Sequence, residues 1–142
     1  MGQKKQERVR WALLAILLVP IAIGCKREPE APLAPLTDAL LVAMSADSVA
    51  AGEGKKLYVA TCAACHGAEG QGMVGPNLTD AAWLHGNTAT EIHGSISRGY
   101  PEKGMAPMEN LLGPARVRML TAFVLTLKGR NVPGRAPEGT PR

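Results

Sequence analysis

The chain has 142 residues, 46% of them apolar and only five aromatic, with sixteen Lys and Arg against twelve Asp and Glu for a formal charge of +4. That length holds one small domain with appendages. No stretch reaches the ~20 consecutive apolar residues of a membrane-spanning helix, and the sixteen glycines show no three-residue, collagen-like period.

Residues 1–10 carry Lys4, Lys5, Arg8 and Arg10 against Glu7, and Trp11–Ile23 follows as thirteen residues, apolar apart from Pro20. A basic start before a short apolar run has the pattern of an export signal. As a helix the run would cover only ~20 Å of a ~30 Å hydrocarbon core. Ala22-Ile23-Gly24 then places small residues before Cys25. That order resembles a bacterial lipoprotein signal, which implies cleavage after residue 24 and a lipid on Cys25, although Ala22 stands where such signals usually carry Leu. Ordinary cleavage and an uncleaved short anchor are the alternatives. Without residues 1–24 the charge falls to +1, so the basic character belongs to the signal. Nucleic-acid binding loses its main support, and no basic cluster interleaved with aromatics follows.

Residues 25–47 contain Pro29, Pro32 and Pro35 among mixed charges, then Leu40-Leu41-Val42. They read as a tether, with a plain disordered spacer as the alternative and the apolar patch a candidate to dock on the domain. The folded part is expected over residues 48–129. Val49–Thr61 carries Leu57 and Tyr58 and is expected to form a first helix. Thr88-Ala89-Thr90-Glu91 fits a capping box, with Ile92 and Ile96 on one face of a short helix ending at Gly99. Gly113-Pro114 marks a third start, and Val117, Leu120, Val124 and Leu127 keep helical spacing until Gly129. Residues 130–142, with three prolines, read as an irregular tail. No alternating strand pattern or internal repeat is present. The expected fold is all-α, and so few aromatics leave its centre for something else to fill.

Cys62-Ala63-Ala64-Cys65-His66 supplies that. Cys-x-x-Cys-His is the attachment signature of c-type haem: two thiols bond the two vinyl groups while the adjacent His reaches iron. A zinc site needs two more ligands, and His85 and His93 have no cysteine nearby. A thioredoxin-like redox pair needs a βαβ pattern, which is missing. Candidates for the second axial ligand are Met73, Met105, Met108, His85 and His93, with Met105 and Met108 in a loop long enough to cross to the other haem face. The ordinary role of any of these methionines is core filling.

Residues ~50–129 resemble a class I cytochrome c domain. Gly75-Pro76-Asn77-Leu78-Thr79-Asp80, Trp83-Leu84-His85-Gly86 and Gly99-Tyr100-Pro101-Glu102-Lys103-Gly104-Met105 are similar to the cytochrome c subunit of cbb-type haem–copper oxidases, as is the tail Gly129–Gly139 to the ending of some of those subunits. The resemblance implies that Met105 is the second axial ligand, with Met108 as the fallback. It also implies that Pro76 offers its carbonyl to the His66 ring N–H, and that Gly54 and Phe123 meet where the terminal helices cross. Two features depart from the family: Met108 stands where an aromatic is usual, and this sequence has one haem motif where those subunits generally carry two and a spanning helix.

Gly70-Gln71-Gly72-Met73-Val74-Gly75 matches a dinucleotide-binding pattern by letter, but it follows the haem motif and precedes a proline, so a flexible loop beside the haem edge is expected. Asn77-Leu78-Thr79 matches a glycosylation acceptor that a bacterial-type signal argues against. Trp83 can donate its indole N–H to a haem propionate or simply pack in the core. His85 and His93 are expected at the surface or at caps.

The reading is a monohaem c-type cytochrome with one haem c bound through Cys62 and Cys65. It passes single electrons on the periplasmic side of the bacterial inner membrane, to which a lipid at Cys25 anchors it. It carries out no bond chemistry, and its partners are redox proteins or the subunits of a respiratory complex such as a terminal oxidase. The alternative is a five-coordinate haem enzyme or gas-binding haem protein, which follows if neither Met105 nor Met108 binds iron.

Overall fold

The computed structural model describes residues 32–141. The export segment and Cys25 lie outside the described residues. From Leu33 onward the chain forms one compact unit. Its helices, among the described residues, are α1 (Asp38–Ala46), α2 (Ser48–Thr61), α3 (Ala63–His66), α4 (Ala89–Arg98), α5 (Met108–Leu112) and α6 (Pro114–Leu127), with a 3₁₀ turn at Pro101–Lys103.

Capping sets most of these boundaries. The Asp47 carboxylate accepts from the N–H groups of Val49 and Ala50 at 2.8 and 2.9 Å, which satisfies two of the orphan donors at the start of α2. Thr88 and Glu91 form the expected reciprocal capping box on α4, which ends at Gly99. Pro114 opens α6 at a position where its missing N–H costs nothing. These three helices fall within a residue or two of their expected bounds.

The packing centre is α6, which lies against α1, α2, α4 and α5. Val117, Leu120, Phe123, Val124 and Leu127 from α6 meet Tyr58 from α2 and Ile92 and Ile96 from α4 in one buried cluster. The Tyr58 and Phe123 rings are tilted at 57° with centroids 5.2 Å apart, a favourable edge-to-face type of contact. Gly54 is the point of closest approach of α2 to α6. A Cβ there would stand 2.7 Å from the Met119 carbonyl carbon and 2.9 Å from Phe123 Cβ, so only glycine permits the crossing.

Two regions differ from the sequence reading. The expected tether contains helix α1, capped by Thr37, and Leu41 is 0% exposed against the domain. Its start is tied down: the Thr90 N–H donates to Asp38 Oδ1 at 2.6 Å, and Arg118 donates to the Ala34 carbonyl at 2.6 Å. Burial of Leu41 outweighs the weak helical signal of a proline-containing segment. The compact unit therefore begins about fifteen residues before Ser48. The tail is irregular over residues 130–139 as expected, yet it is held to the domain and ends in a strand. Strand β2 (Thr140–Pro141) pairs antiparallel with β1 (Ala82–Trp83), and residues 131–135 hydrogen-bond to the loop after the haem motif.

Candidate haem site

The site starts where α2 stops. Cys62 caps α2 and opens the single turn α3, so that the N–H groups of Cys65 and His66 both donate to the Cys62 carbonyl, at 3.1 and 2.9 Å. Residues three and four apart in such a turn share one face, which groups the two sulfurs and the imidazole. Both thiols are free, Cys62 half-buried and Cys65 exposed. Burial pushes the Cys62 thiol up from its ordinary value; the Thr61 hydroxyl, 3.3 Å away, works against that rise and the Cys65 thiol adds to it.

His66 Nδ1 lies 3.0 Å from the Pro76 carbonyl oxygen. A carbonyl only accepts, so Nδ1 carries the proton and Nε2 keeps its lone pair free for a metal. Burial also holds the ring below its ordinary pKa, against the opposing pull of the Pro76 carbonyl, which keeps it neutral as a ligand must be. Gly75 is packed on this ring: a Cβ there would come 2.7 Å from His66 Cε1.

The glycine-rich stretch from Gly70 to Gly75 was expected to be a flexible loop and is instead bound down. Gly72 N–H donates to His66 O at 2.7 Å, Met73 and Gly75 N–H to Cys65 O at 3.2 and 2.9 Å, and Leu78 N–H to Gly70 O at 2.7 Å. Its glycines serve close approach more than mobility. The Tyr58 hydroxyl, buried beneath, donates to Gly67 O at 2.7 Å. Asn77 is buried, and its Oδ1 accepts from the Thr79 N–H and hydroxyl at 2.8 and 2.7 Å, so it is not an accessible glycosylation acceptor.

The methionines separate by environment. Met105 is half-buried against the core and sits at the neck of a tight hairpin, where its backbone exchanges hydrogen bonds with Tyr100 at 2.8 and 3.1 Å. Gly104 at φ 83° makes that turn. Met108 is 8% exposed inside the core at the start of α5, where it already fills space. Met73 is 61% and Val74 77% exposed beside the Cys65 turn. His85 is exposed and stacks on Tyr100 with ring centroids 3.9 Å apart. His93, expected at the surface or at a cap, is buried on α4 instead.

A haem fits these residues. Two thiols and a neutral, oriented imidazole share one turn. Trp83, packed on the core, also carries a buried indole N–H with no hydrogen-bond partner, which calls for an acceptor such as a porphyrin carboxylate. Among the described residues no cluster of His, Cys, Asp and Glu suits a bare metal ion. Sequence reasoning missed Arg135, whose guanidinium donates to the carbonyls of Met73 and Val74 at 3.0 and 2.6 Å. Nothing in an arginine within a Gly- and Pro-rich tail signals backbone acceptors some sixty residues away.

Comparison with known proteins gives the family. Residues 49–124, more than half of the chain, match the family described as cytochrome c oxidase, cbb3-type, subunit III. The chain is 40% identical over 89 residues to the cbb3-type cytochrome c oxidase subunit CcoP of Rubrivivax gelatinosus, covering 61% of this chain and 29% of that protein. It is 37% identical over 83 residues to subunit FixP of Bradyrhizobium diazoefficiens, covering 56% and 28%. The chain thus spans less than a third of these relatives. Cytochrome cL from Methylophaga aminisulfidivorans superposes with a TM-score of 0.55 at 23% identity, over 66% of this chain and 76% of that one, which shows a shared class I cytochrome c fold. With the haem motif, the Pro76 acceptor and the helix crossing at Gly54 all in place, the chain belongs to the cbb3-type cytochrome c oxidase subunit III family.

Proposed function

We propose that this domain is a monohaem c-type cytochrome that carries single electrons to, or within, a cbb3-type respiratory oxidase. The observation that carries the reading is the 3.0 Å contact between His66 Nδ1 and Pro76 O, directly beside the Cys62 and Cys65 pair. Bound haem supplies one-electron chemistry at iron. Cys62 and Cys65 hold it covalently, one haem for the one Cys-x-x-Cys-His in these 142 residues. The Pro76 carbonyl fixes the His66 tautomer and raises its basicity. Met105 would supply the second iron ligand, supported by its place at the hairpin neck while Met108 is spent in the core. With both residues holding the iron, no position would be left for a substrate, which suits one-electron transfer.

The exposed Met73 and Val74 beside Cys65 suit a small, transient contact with a redox partner. Placement on the periplasmic side of the inner membrane, with a lipid on Cys25, rests on the signal-like residues 1–24. Among the described residues no helix is long and apolar enough to cross a membrane.

Acid–acetone extraction of the purified protein should leave the haem on the polypeptide. The oxidised protein should show a Met-to-iron charge-transfer band that Met105→Ala abolishes and Met108→Ala retains. Peroxide turnover or rapid ligand binding by the unmodified protein would sink the carrier reading in favour of five-coordinate iron. Intact mass checks the anchor, since a diacylglyceryl adduct on a chain beginning at Cys25 is expected and a chain beginning at Met1 would refute it. Co-purification with the oxidase's other subunits checks the partner.

A further inference from the structure

We propose that the C-terminal segment around Arg135 is a clamp that positions the haem ligand His66, acting through the loop that bears Pro76. The proposal rests on the haem reading above and adds a part of the chain to it.

The tail meets that loop through seven hydrogen bonds. The Asn131 N–H donates to Thr79 O and the Val132 N–H to Thr79 Oγ1, both at 2.9 Å. The Asn77 side-chain amide donates to Val132 O at 3.3 Å and Arg135 O at 3.5 Å. The Arg135 N–H donates to Gln71 O at 2.9 Å, and its guanidinium bridges Met73 O and Val74 O at 3.0 and 2.6 Å. The seam is close-packed: a Cβ at Gly134 would fall 2.8 Å from the Gln71 carbonyl carbon. Glu138 pairs with Arg135 Nε and orients the guanidinium from the other side.

These contacts bracket the ligand's support. Met73 and Val74 lie immediately before Gly75, which packs on the imidazole, and Pro76, whose carbonyl accepts the hydrogen bond from its N–H; Asn77 follows. One end of the guanidinium holds two successive carbonyls while its Nε is fixed by Glu138, which restrains the peptide units leading into Gly75. Arg135 touches neither His66 nor the thiols, so it is a positioning residue. Its effect must appear in how often the His66–Pro76 bond opens.

Hydrogen exchange at the His66 Nδ1 proton, followed by NMR in the reduced, haem-loaded protein, reads that opening directly. In Arg135→Ala the proton should exchange about five- to tenfold faster than in the unmodified protein, as expected when charge-assisted bonds at a partly exposed site are lost. The amides of Leu120 and Val124 in α6 should stay within about twofold of their original rates. Unchanged Nδ1 exchange overturns the clamp, and so does an equal acceleration in α6, which would mean general loosening. If the alanine variant does not mature with haem, Arg135→Gln keeps the first part of the stem, lacks the charge, is too short to reach the Met73 and Val74 carbonyls, and is judged by the same rates. An unmodified protein whose iron is not bound by His66 overturns the haem reading itself; His66-bound iron with unchanged exchange in the variant overturns the clamp alone.

Discussion

Two glycines on α2, two residues apart, should respond to the same substitution with opposite signs. At Gly54 a new Cβ would lie 2.7 Å from the Met119 carbonyl carbon and closer still to its oxygen. Non-bonded carbons settle at ~3.5–4.0 Å, so Gly54→Ala forces α2 and α6 about 1 Å apart. The obstacle is helix backbone and cannot turn aside as a side chain would. Tyr58, Leu120 and Phe123 all straddle this seam and would lose contact together. Overpacking costs ~1–3 kcal/mol, at its upper end here, against a helix-propensity gain of ~1 kcal/mol for replacing glycine. The net expectation is a loss of about 2 kcal/mol, or a Tm lower by about 8–16 °C for a domain of this size. At Gly52 a Cβ meets nothing within 4 Å. Gly52→Ala therefore keeps the propensity gain and should stabilise by about 0.5–1 kcal/mol. Urea or thermal unfolding of the haem-loaded variants, followed by far-UV circular dichroism, measures both. Shifts of the same sign, or a neutral Gly54→Ala, would show that the helices do not cross at that residue.

Leu41→Ala should cost about 2–4 kcal/mol if α1 is part of the core, whereas a substitution in a free spacer would leave the urea midpoint where it was. Tyr58→Phe leaves the Gly67 carbonyl without its 2.7 Å partner and should destabilise by about 1–2 kcal/mol; an equally stable variant would mean that water replaces the phenol. His93 is held below its ordinary pKa by burial first, with Arg98 and Arg118 adding to the effect and Glu109 opposing it. The unfolded chain therefore takes up the proton first, at about pH 6.5, so the His93 share of stability is complete above that pH and is lost as pH falls below it. Urea midpoints at pH 7.5 and 5.5 should converge in His93→Gln relative to the unmodified protein; an identical pH slope in both would exclude His93 as the source.

Features recorded in short local patterns could be read without a structure. Thr88 with Glu91, Gly113 with Pro114, and Cys62 with Cys65 and His66 each state their chemistry within a few residues. The Pro76 contact was legible through resemblance, since no spacing rule pairs an imidazole with a carbonyl ten residues on. What stayed hidden depends on partners distant in the chain. Docking of the Leu40-Leu41-Val42 patch could be anticipated, but not the helix α1 that carries it against α2, α4 and α6. The Gly70–Gly75 stretch looks mobile in composition, yet its amides are taken by the carbonyls of Cys65 and His66. Arg135 acts on backbone acceptors, which every residue possesses and none advertises.

The helix crossing at Gly54 also sets the order of events in maturation. It joins position 54 to positions 119 and 123, so the turn with Cys62 and Cys65 lies inside a loop that can close only after α6 has been synthesised. A closure over that much chain is slow compared with the forming of one helical turn. Through that interval the two thiols ride on a segment not yet pinned by the crossing. The glycine that lets the helices meet so closely thus also times when the turn bearing Cys62, Cys65 and His66 becomes fixed in place.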